Sequence, residues 1–556
     1  MAPRGDRRAV TARLARIFAD LRPHRRYAGW VIACTLFYAS ARIVPPLLAR
    51  VLLDRTLAGR AAYFLGVKLS VPAAVMAVPI LLLTLAAALA LAQYLMRLWS
   101  GVLGQRLVGD LQVRLLEHLL RVPAPLLERR ILGTQLLRFN GDMSAVKRFV
   151  ARSLPELVRD VTAVLVICVV LISLHMPLAL VVAGVILAYL VLVLTFWRQL
   201  DRASRAVRSA RSRISGIAFD RLTVASQVKL TRQERRETRR FRKVQRHVLS
   251  VSRRQAGISG WVSGASELAV GIMVALSLGF GARAVLSNTM SRGEMVAFYG
   301  LVLMLISPLR AVSRTVESLA VGQVAFDRLY RMLDAPEEHD PPNAVSLRVE
   351  RGEIRLAGVQ VGDTVFPDLI VPPGVSVLTG HPGSGISLVG QLLVRLQYPT
   401  TGTVHIDGTD VGVVGFRSLR KRVCYIPAMA PLLKGSVRLN LTAGLHLDGA
   451  DGILAALHAV GGHWATPETL QSPAGSAGRR LSPLQRWQIL CARACLGRPA
   501  IVVLDGPPVQ GDALNTAIRG LRAAGVRSVI VLSEHDLPAL HADRSISLAA
   551  PEVVHA

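Results

Sequence analysis

The sequence predicts an α-helical membrane domain, with six transmembrane helices carrying long cytoplasmic extensions, followed by an α/β domain of P-loop type. Long apolar runs fill the first three-fifths of the 556 residues. Two connections between those runs are long and arginine-rich, and the last part alternates short apolar runs with turns around a glycine-rich strand-to-helix joint. With 52% apolar and 19% charged residues, a small soluble module is excluded.

The chain opens on a basic segment, residues 1–27, in which Arg4, Arg7, Arg8, Arg13, Arg16, Arg22, Arg25 and Arg26 precede the first apolar run. That run is too long for a signal peptide and lacks a small-residue cleavage pattern. Candidate spans in the membrane domain, 28–333, are Trp30–Leu52, Val71–Leu98, Pro155–Leu174, Pro177–Trp197, Ala265–Val285 and Met295–Leu309. The loop SLHMP between the third and fourth is short and uncharged, so the bias of basic residues towards the inside predicts both termini in the cytoplasm. The largest outer segments are then Asp54–Ser70 and Leu286–Glu294. Arg42 and Glu267 are ionisable groups at membrane depth, expected to face a cavity or each other, or to lie at an interface or wet seam.

The connections Arg97–Arg152 and Arg198–Arg254 each have about 55 residues without Gly/Pro clusters, and as helical hairpins would reach about 40 Å into the cytoplasm. Near their turns, Ala124–Gly133 and Gly216–Thr223 mix apolar and charged residues in a way suited to docking on another domain. The second connection holds TRQERRETRRFRKVQR, much of the net charge of +31. It reads as the solvated face of a helix near anionic lipid and not as a nucleic-acid site, because membrane spans flank it and it holds a single aromatic, Phe241, and no interleaved series of them. Cys34, Cys168, Cys424, Cys491 and Cys495 show no metal-ligand spacing and read as packing residues.

A Pro-rich acidic linker, 334–343, leads into the α/β domain, 344–556. VSVLTG, HPGSGIS and LVGQLLVRL read as strand, turn and helix. Gly380–Ser387, GHPGSGIS, matches the phosphate-loop pattern GxxxxGK[ST] except at the lysine, where Ile386 stands. Gly380, Gly383 and Gly385, with Ser384 between them, let backbone N–H groups converge on an anion at a helix start, although a tight strand-to-helix connection accounts for the glycines equally well. AIVVLDGPP ends a buried strand on Asp505, a carboxylate of the kind that holds Mg²⁺ beside such a loop, although by itself it is only a strand with an acidic end.

In this order the pieces resemble a half-transporter of the ABC exporter family, six spans fused to a nucleotide-binding domain. The resemblance runs through Val44–Leu57, Leu119–Val146, Val324–Glu338, Thr401–Leu441, Arg479–Asp505 and Val531–Arg544. It implies ATP and Mg²⁺ as cofactors, Gly380, Gly383, Ser384, Gly385, Ile386 and Ser387 as the phosphate loop, Ser387 and Asp505 as metal ligands, and His535 as the switch histidine. Ser482 and Gln485 survive from the LSGGQ pattern, which here reads LSPLQ, with Pro483 and Leu484 for its glycines. Asp363 stands where an aromatic residue stacks on adenine, Ala428 replaces the glutamine that meets the γ-phosphate, and Gly506 replaces the glutamate that polarises water. LSPLQ also reads as a helix start, Ser482 capping and Pro483 in the first helical position.

Isoleucine cannot neutralise phosphate, and Gly506 cannot orient water, so weak or absent ATP binding and no catalysis by the chain alone are expected. The resemblance thus implies a degenerate subunit of a heteromeric exporter in the inner cell membrane. Its partners would be a second half-transporter with intact motifs and membrane lipid, with no nucleic acid. The alternatives are a nucleotide-independent membrane regulator or scaffold on the same skeleton, or a self-sufficient homodimer. The substrate is not legible.

Overall fold

The computed structural model describes residues 16–17, 19–56, 62–64, 67–69, 71–130, 135–429, 431–445, 449–535, 537 and 540–548. The first fifteen residues with Arg4, Arg7, Arg8 and Arg13, parts of Asp54–Ser70, Ile131–Gly133, and parts of Val531–Arg544 lie outside them. Two units are formed, residues 1–120 with 131–335, and residues 121–130 with 336–556.

In the first unit α1 (Arg25–Ala41) and α2 (Val44–Val51) make the first span. Pro45 and Pro46 have no N–H to give the carbonyls of Ala41 and Arg42, which breaks the helix there. A π-helical turn, Leu52–Thr56, follows, and a short antiparallel pair, β1 (Ala62–Phe64) and β2 (Val67–Leu69), occupies part of the expected outer segment. Next come α3 (Val71–Leu119), α4 (Ala124–Arg130, grouped with the second unit) and α5 (Gln135–Arg148). A second π-helical turn, Phe149–Ser153, leads to α6 (Leu154–Leu174).

The two rods of the second connection are α7 (Met176–Thr223) and α9 (Glu234–Leu286), antiparallel neighbours joined through α8 (Ala225–Leu230). At 48 and 53 residues they run about 70–80 Å, more than twice a hydrocarbon core. The sixth span divides into α10 (Arg292–Met304) and α11 (Ile306–Leu333), because Pro308 cannot bond the carbonyl of Met304. Six helical segments among the described residues are long and apolar enough to cross a membrane, and each contains one expected span wholly or in its greater part. Arg42 and Glu267 do not meet: Glu267 forms an ion pair with Arg310 of α11, and Arg42 lines a small cavity with Arg159 and Asp160.

The second unit holds two sheets. β3 (Ile354–Val361), β4 (Thr364–Val365), β5 (Leu369–Val371), β7 (Thr401–Ile406) and β8 (Thr409–Asp410) form an antiparallel sheet. β6 (Gly374–Thr379), β9 (Val423–Pro427), β10 (Ile501–Asp505), β11 (Ser528–Ser533) and β12 (Arg544–Ser547) form a parallel sheet in the order β12-β6-β11-β10-β9. α12 (Ile386–Leu393), α13 (Phe416–Arg422), α14 (Val437–Thr442), α15 (Ala450–Ala459), α16 (Pro467–Gln471), α17 (Pro483–Gly497) and α18 (Asp512–Ala523) complete the unit. The central strands β10 and β11 are buried on both faces, hence their continuous apolar sequence. The cysteines are free, and burial pushes the Cys424 and Cys495 thiols up to about 11, fitting packing residues.

Candidate functional site: the phosphate loop and neighbouring strand ends

β6, β11 and β10 end side by side, so the turns that leave them share the carboxyl edge of the parallel sheet, the usual place for ligands in α/β folds. The turn after β6 is GHPGSGIS. Gly383 at φ +85° and Gly385 at φ +75° adopt the left-handed conformation, which delivers the chain into α12. The Ser384 N–H donates to the His381 carbonyl at 2.8 Å, and the Gly380 N–H donates to the Ser533 carbonyl at 3.2 Å. A Cβ on Gly380 would stand 2.6 Å from Ser384 Oγ, so the loop closes tightly there. Ser384 is buried, and its hydroxyl has no hydrogen-bond partner among the described residues.

Ile386 is 4% exposed and packs with Leu378, Val389 and Leu392, its Cδ1 3.6 Å from where a Gly380 Cβ would lie. The position that the pattern assigns to a phosphate-seeking amine is therefore filled by a branched alkyl group facing the core. Next in sequence, Ser387 Oγ donates to Asp505 Oδ1 at 2.8 Å. The other oxygen of Asp505 accepts from the Tyr425 hydroxyl at 2.5 Å. Ser387 and Asp505 thus sit as a hydroxyl–carboxylate pair, a donor set that suits Mg²⁺ when phosphate oxygens supply further ligands. No group of three His, Cys, Asp or Glu side chains among the described residues could hold a metal by itself. Tyr425 was missed by sequence reasoning because its link to Asp505 spans 80 residues and arises from β9 lying beside β10.

Gly506 takes φ +56°, and its N–H donates to the Leu532 carbonyl at 2.9 Å. His535 is exposed just past β11, in a turn where its N–H donates to Ser533 Oγ at 3.2 Å. Asp363 is exposed in the turn between β3 and β4, while the neighbouring Thr364 and Phe366 approach Gly385. The LSPLQ segment opens α17. Ser482 Oγ accepts from the Gln485 N–H at 3.1 Å, and the Gln485 side-chain oxygen accepts from the Ser482 N–H at 2.9 Å, a reciprocal cap with Pro483 in the first turn of α17.

The ABC transporter transmembrane region matches residues 31–309, half of the chain. The chain belongs to the ABC transporter family. A second family model, the ABC transporter domain, matches residues 369–509, and domains of that kind bind ATP with Mg²⁺. The chain is 25% identical over 505 residues to an ATP-dependent lipid A-core flippase of Thiobacillus denitrificans, covering 88% of this chain and 85% of that one. It is 23% identical over 429 residues to a multidrug resistance ABC transporter ATP-binding and permease protein of Lactococcus lactis, covering 74% and 72%. A solved bacterial Atm1-family ABC exporter with ATP bound shares the fold, with a TM-score of 0.78 at 18% identity over 96% of this chain and 94% of that one. The chain is thus a multi-pass membrane half-transporter of the exporter type, as the order of motifs implied.

Proposed function

We propose that this chain is the catalytically degenerate half of a heteromeric ABC exporter, lending half of a translocation pathway while a second half-transporter supplies ATP hydrolysis. One observation carries the reading: Ile386, in the lysine position of the phosphate loop, packs into the core beside Gly380. A phosphate bound there would lose a charge-assisted partner and lie against alkyl surface. Gly506 and Ala428 add to it, since neither can orient water or report the γ-phosphate. Cytoplasmic termini and an inner-membrane location follow from the arginine bias and belong to the same proposal.

The purified chain should show no ATP turnover above background and weak ATP binding. Ile386→Lys should raise affinity for a fluorescent ATP analogue about tenfold, the value of roughly one charge-assisted hydrogen bond, without starting turnover. Robust hydrolysis by the unmodified chain sinks the proposal. For the orientation, tags in SLHMP and in TRQERR are probed in intact cells, and labelling of the second from outside overturns it.

A further inference from the structure

A cavity of about 370 Å³ opens inside the first unit, between the path from α5 through the second π-helical turn into α6 and the facing α11. At the volume each molecule takes in liquid water, that space corresponds to about a dozen waters, or to an organic molecule of similar size. Its walls carry Arg148, Arg152 and Arg159 against one acid, Glu156, together with the apolar Phe149 and Val321. Phe149 is fixed there by α11, since a Cβ on Gly322 would run into its ring.

The three guanidinium groups are unequally committed. Arg152 Nε donates to Glu156 Oε1 at 3.0 Å, and Arg159 pairs with the next residue, Asp160, at 2.8 Å. Arg148 is exposed and has no ion pair among the described residues. Arg159 also borders the small cavity that holds Arg42, which likewise has no ion pair among the described residues. Over the two cavities, four arginines thus stand against two acids. Between Ala311 and Ser318, α11 adds one residue of each sign, Arg314 and Glu317, and leaves that excess unchanged. Like charges around a shared void repel more strongly than in bulk water, and a bound anion relieves them. Arg152 and Arg159 follow Arg148 by four and eleven residues, a spacing that keeps all three on one face of a helical path. The π-helical turn Phe149–Ser153 lies in that path, and such wide turns within helices occur often where a site is built.

We propose that this cavity binds an oxyanion joined to an apolar body, an organic phosphate or carboxylate of about that size, with Arg148 as the open donor and Glu156 as a built-in competitor for Arg152. Guanidinium groups suit such a ligand because they bond an oxyanion through two parallel N–H donors, while Phe149 and Val321 face its apolar remainder. A soluble organic anion and a lipid head group present this same chemistry. Every wall residue belongs to the first unit, so the site stands or falls independently of the nucleotide reading above.

The full chain in maltoside detergent, without nucleotide, is titrated with naphthyl phosphate in a calorimeter. It should bind at least about tenfold tighter than either inorganic phosphate or naphthol, each of which offers half of the chemistry. Arg148→Gln should weaken binding about tenfold, the value of roughly one charge-assisted hydrogen bond, and Arg148→Lys should restore part of the loss. Glu156→Gln should bind severalfold tighter because it releases Arg152, a gain that no folding defect can mimic. Displacement of naphthyl phosphate by dioleoyl phosphatidate in the micelles assigns the site to a lipid head group, and its failure to displace assigns the site to a soluble anion. Three results overturn the proposal: naphthol binding as tightly as naphthyl phosphate, Arg148→Gln binding as wild type does, or Glu156→Gln binding more weakly than wild type.

Discussion

A Cβ built on Gly506 stands 3.5 Å from the Cβ of Ala428. The closeness comes from strand register: β9 and β10 are parallel with Pro427 opposite Asp505, so the next residue of each strand leaves the sheet at the same point. Two substitutions that look independent in sequence therefore lie side by side at the end of the sheet. Gly506 also holds φ +56°, where an L side chain is strained by about 1–2 kcal/mol. We expect Gly506→Ala and Gly506→Glu both to lower the unfolding free energy by roughly that amount. Gly506→Glu by itself should still give no turnover, because Ile386 remains in the lysine position. Calorimetry and an ATPase assay check this, and a stability gain in Gly506→Ala would contradict the backbone argument.

A second prediction concerns the junction between the end of the first span and α10. Asp54 Oδ1 accepts from the Gly293 N–H at 2.7 Å, the Ser291 hydroxyl donates to its other oxygen, and Arg50 pairs with Glu294 at 2.6 Å. These contacts fasten the end of the first span to the first turn of α10, which Ser291 and Glu294 also cap reciprocally. A Cβ on Gly293 would lie 2.6 Å from both the Arg50 carbonyl and Asp54 Cγ. Gly293→Ala must push backbone aside and should cost about 1–3 kcal/mol. Gly271→Ala is the control, since nothing lies within 4 Å of its Cβ and alanine favours helix. Thermal melts in detergent should place the two variants on opposite sides of wild type.

The parts of this molecule legible in the sequence are those set by local chemistry. The six spans follow from run length, and the Ser482–Gln485 cap follows from a Ser-x-x-Gln spacing that closes within one turn. The breaks near Pro45 and Pro308 obey the missing N–H, yet Pro79 lies inside α3 without ending it, so proline marks a break only where packing lets the chain turn. What escaped depends on distant residues meeting. Tyr425 finds Asp505 through strand order, and Glu267 takes Arg310 instead of Arg42 because α9 packs on α11.

The third prediction is a pH dependence in the second unit. Asp407 and Gly408, at φ +46° and +79°, form the two-residue turn between β7 and β8. Burial alone would raise the Asp407 pKa, but N–H donors from Gly352, Glu353, Arg351 and Glu350 outweigh it and hold the carboxyl below its ordinary value. The folded value is the lower one, so the contribution is complete above the unfolded value near 4 and fades as pH falls through the folded value. Asp407→Asn keeps a residue that tolerates the left-handed turn and removes the titration. Its stability deficit should be largest at neutral pH and shrink on acidification. A deficit independent of pH would show that the turn, and not the charge, is what Asp407 contributes.

The last prediction tests whether LSPLQ limits a complex of two halves, on the proposal that each ATP lies between one half's phosphate loop and the other half's LSGGQ segment. Here Ser482 is occupied by its reciprocal cap with Gln485, Pro483 offers no N–H, and Leu484 is 38% exposed at the start of α17. A partner's ATP closing on this end would miss backbone contacts worth roughly 1–3 kcal/mol, or about ten- to hundred-fold in rate. Pro483→Gly/Leu484→Gly should therefore speed the complex's ATP turnover by that order. It should also lower the melting temperature of this chain, because glycine removes a favourable first-turn proline and weakens the helix by up to about 1 kcal/mol per residue. Ile386→Lys with Gly506→Glu acts on the other site and should leave the partner's turnover nearly unchanged. If the double-glycine chain melts lower as expected but turns over no faster, while the partner's catalytic glutamate proves essential, the cap has been loosened without consequence, and this chain acts through its membrane half.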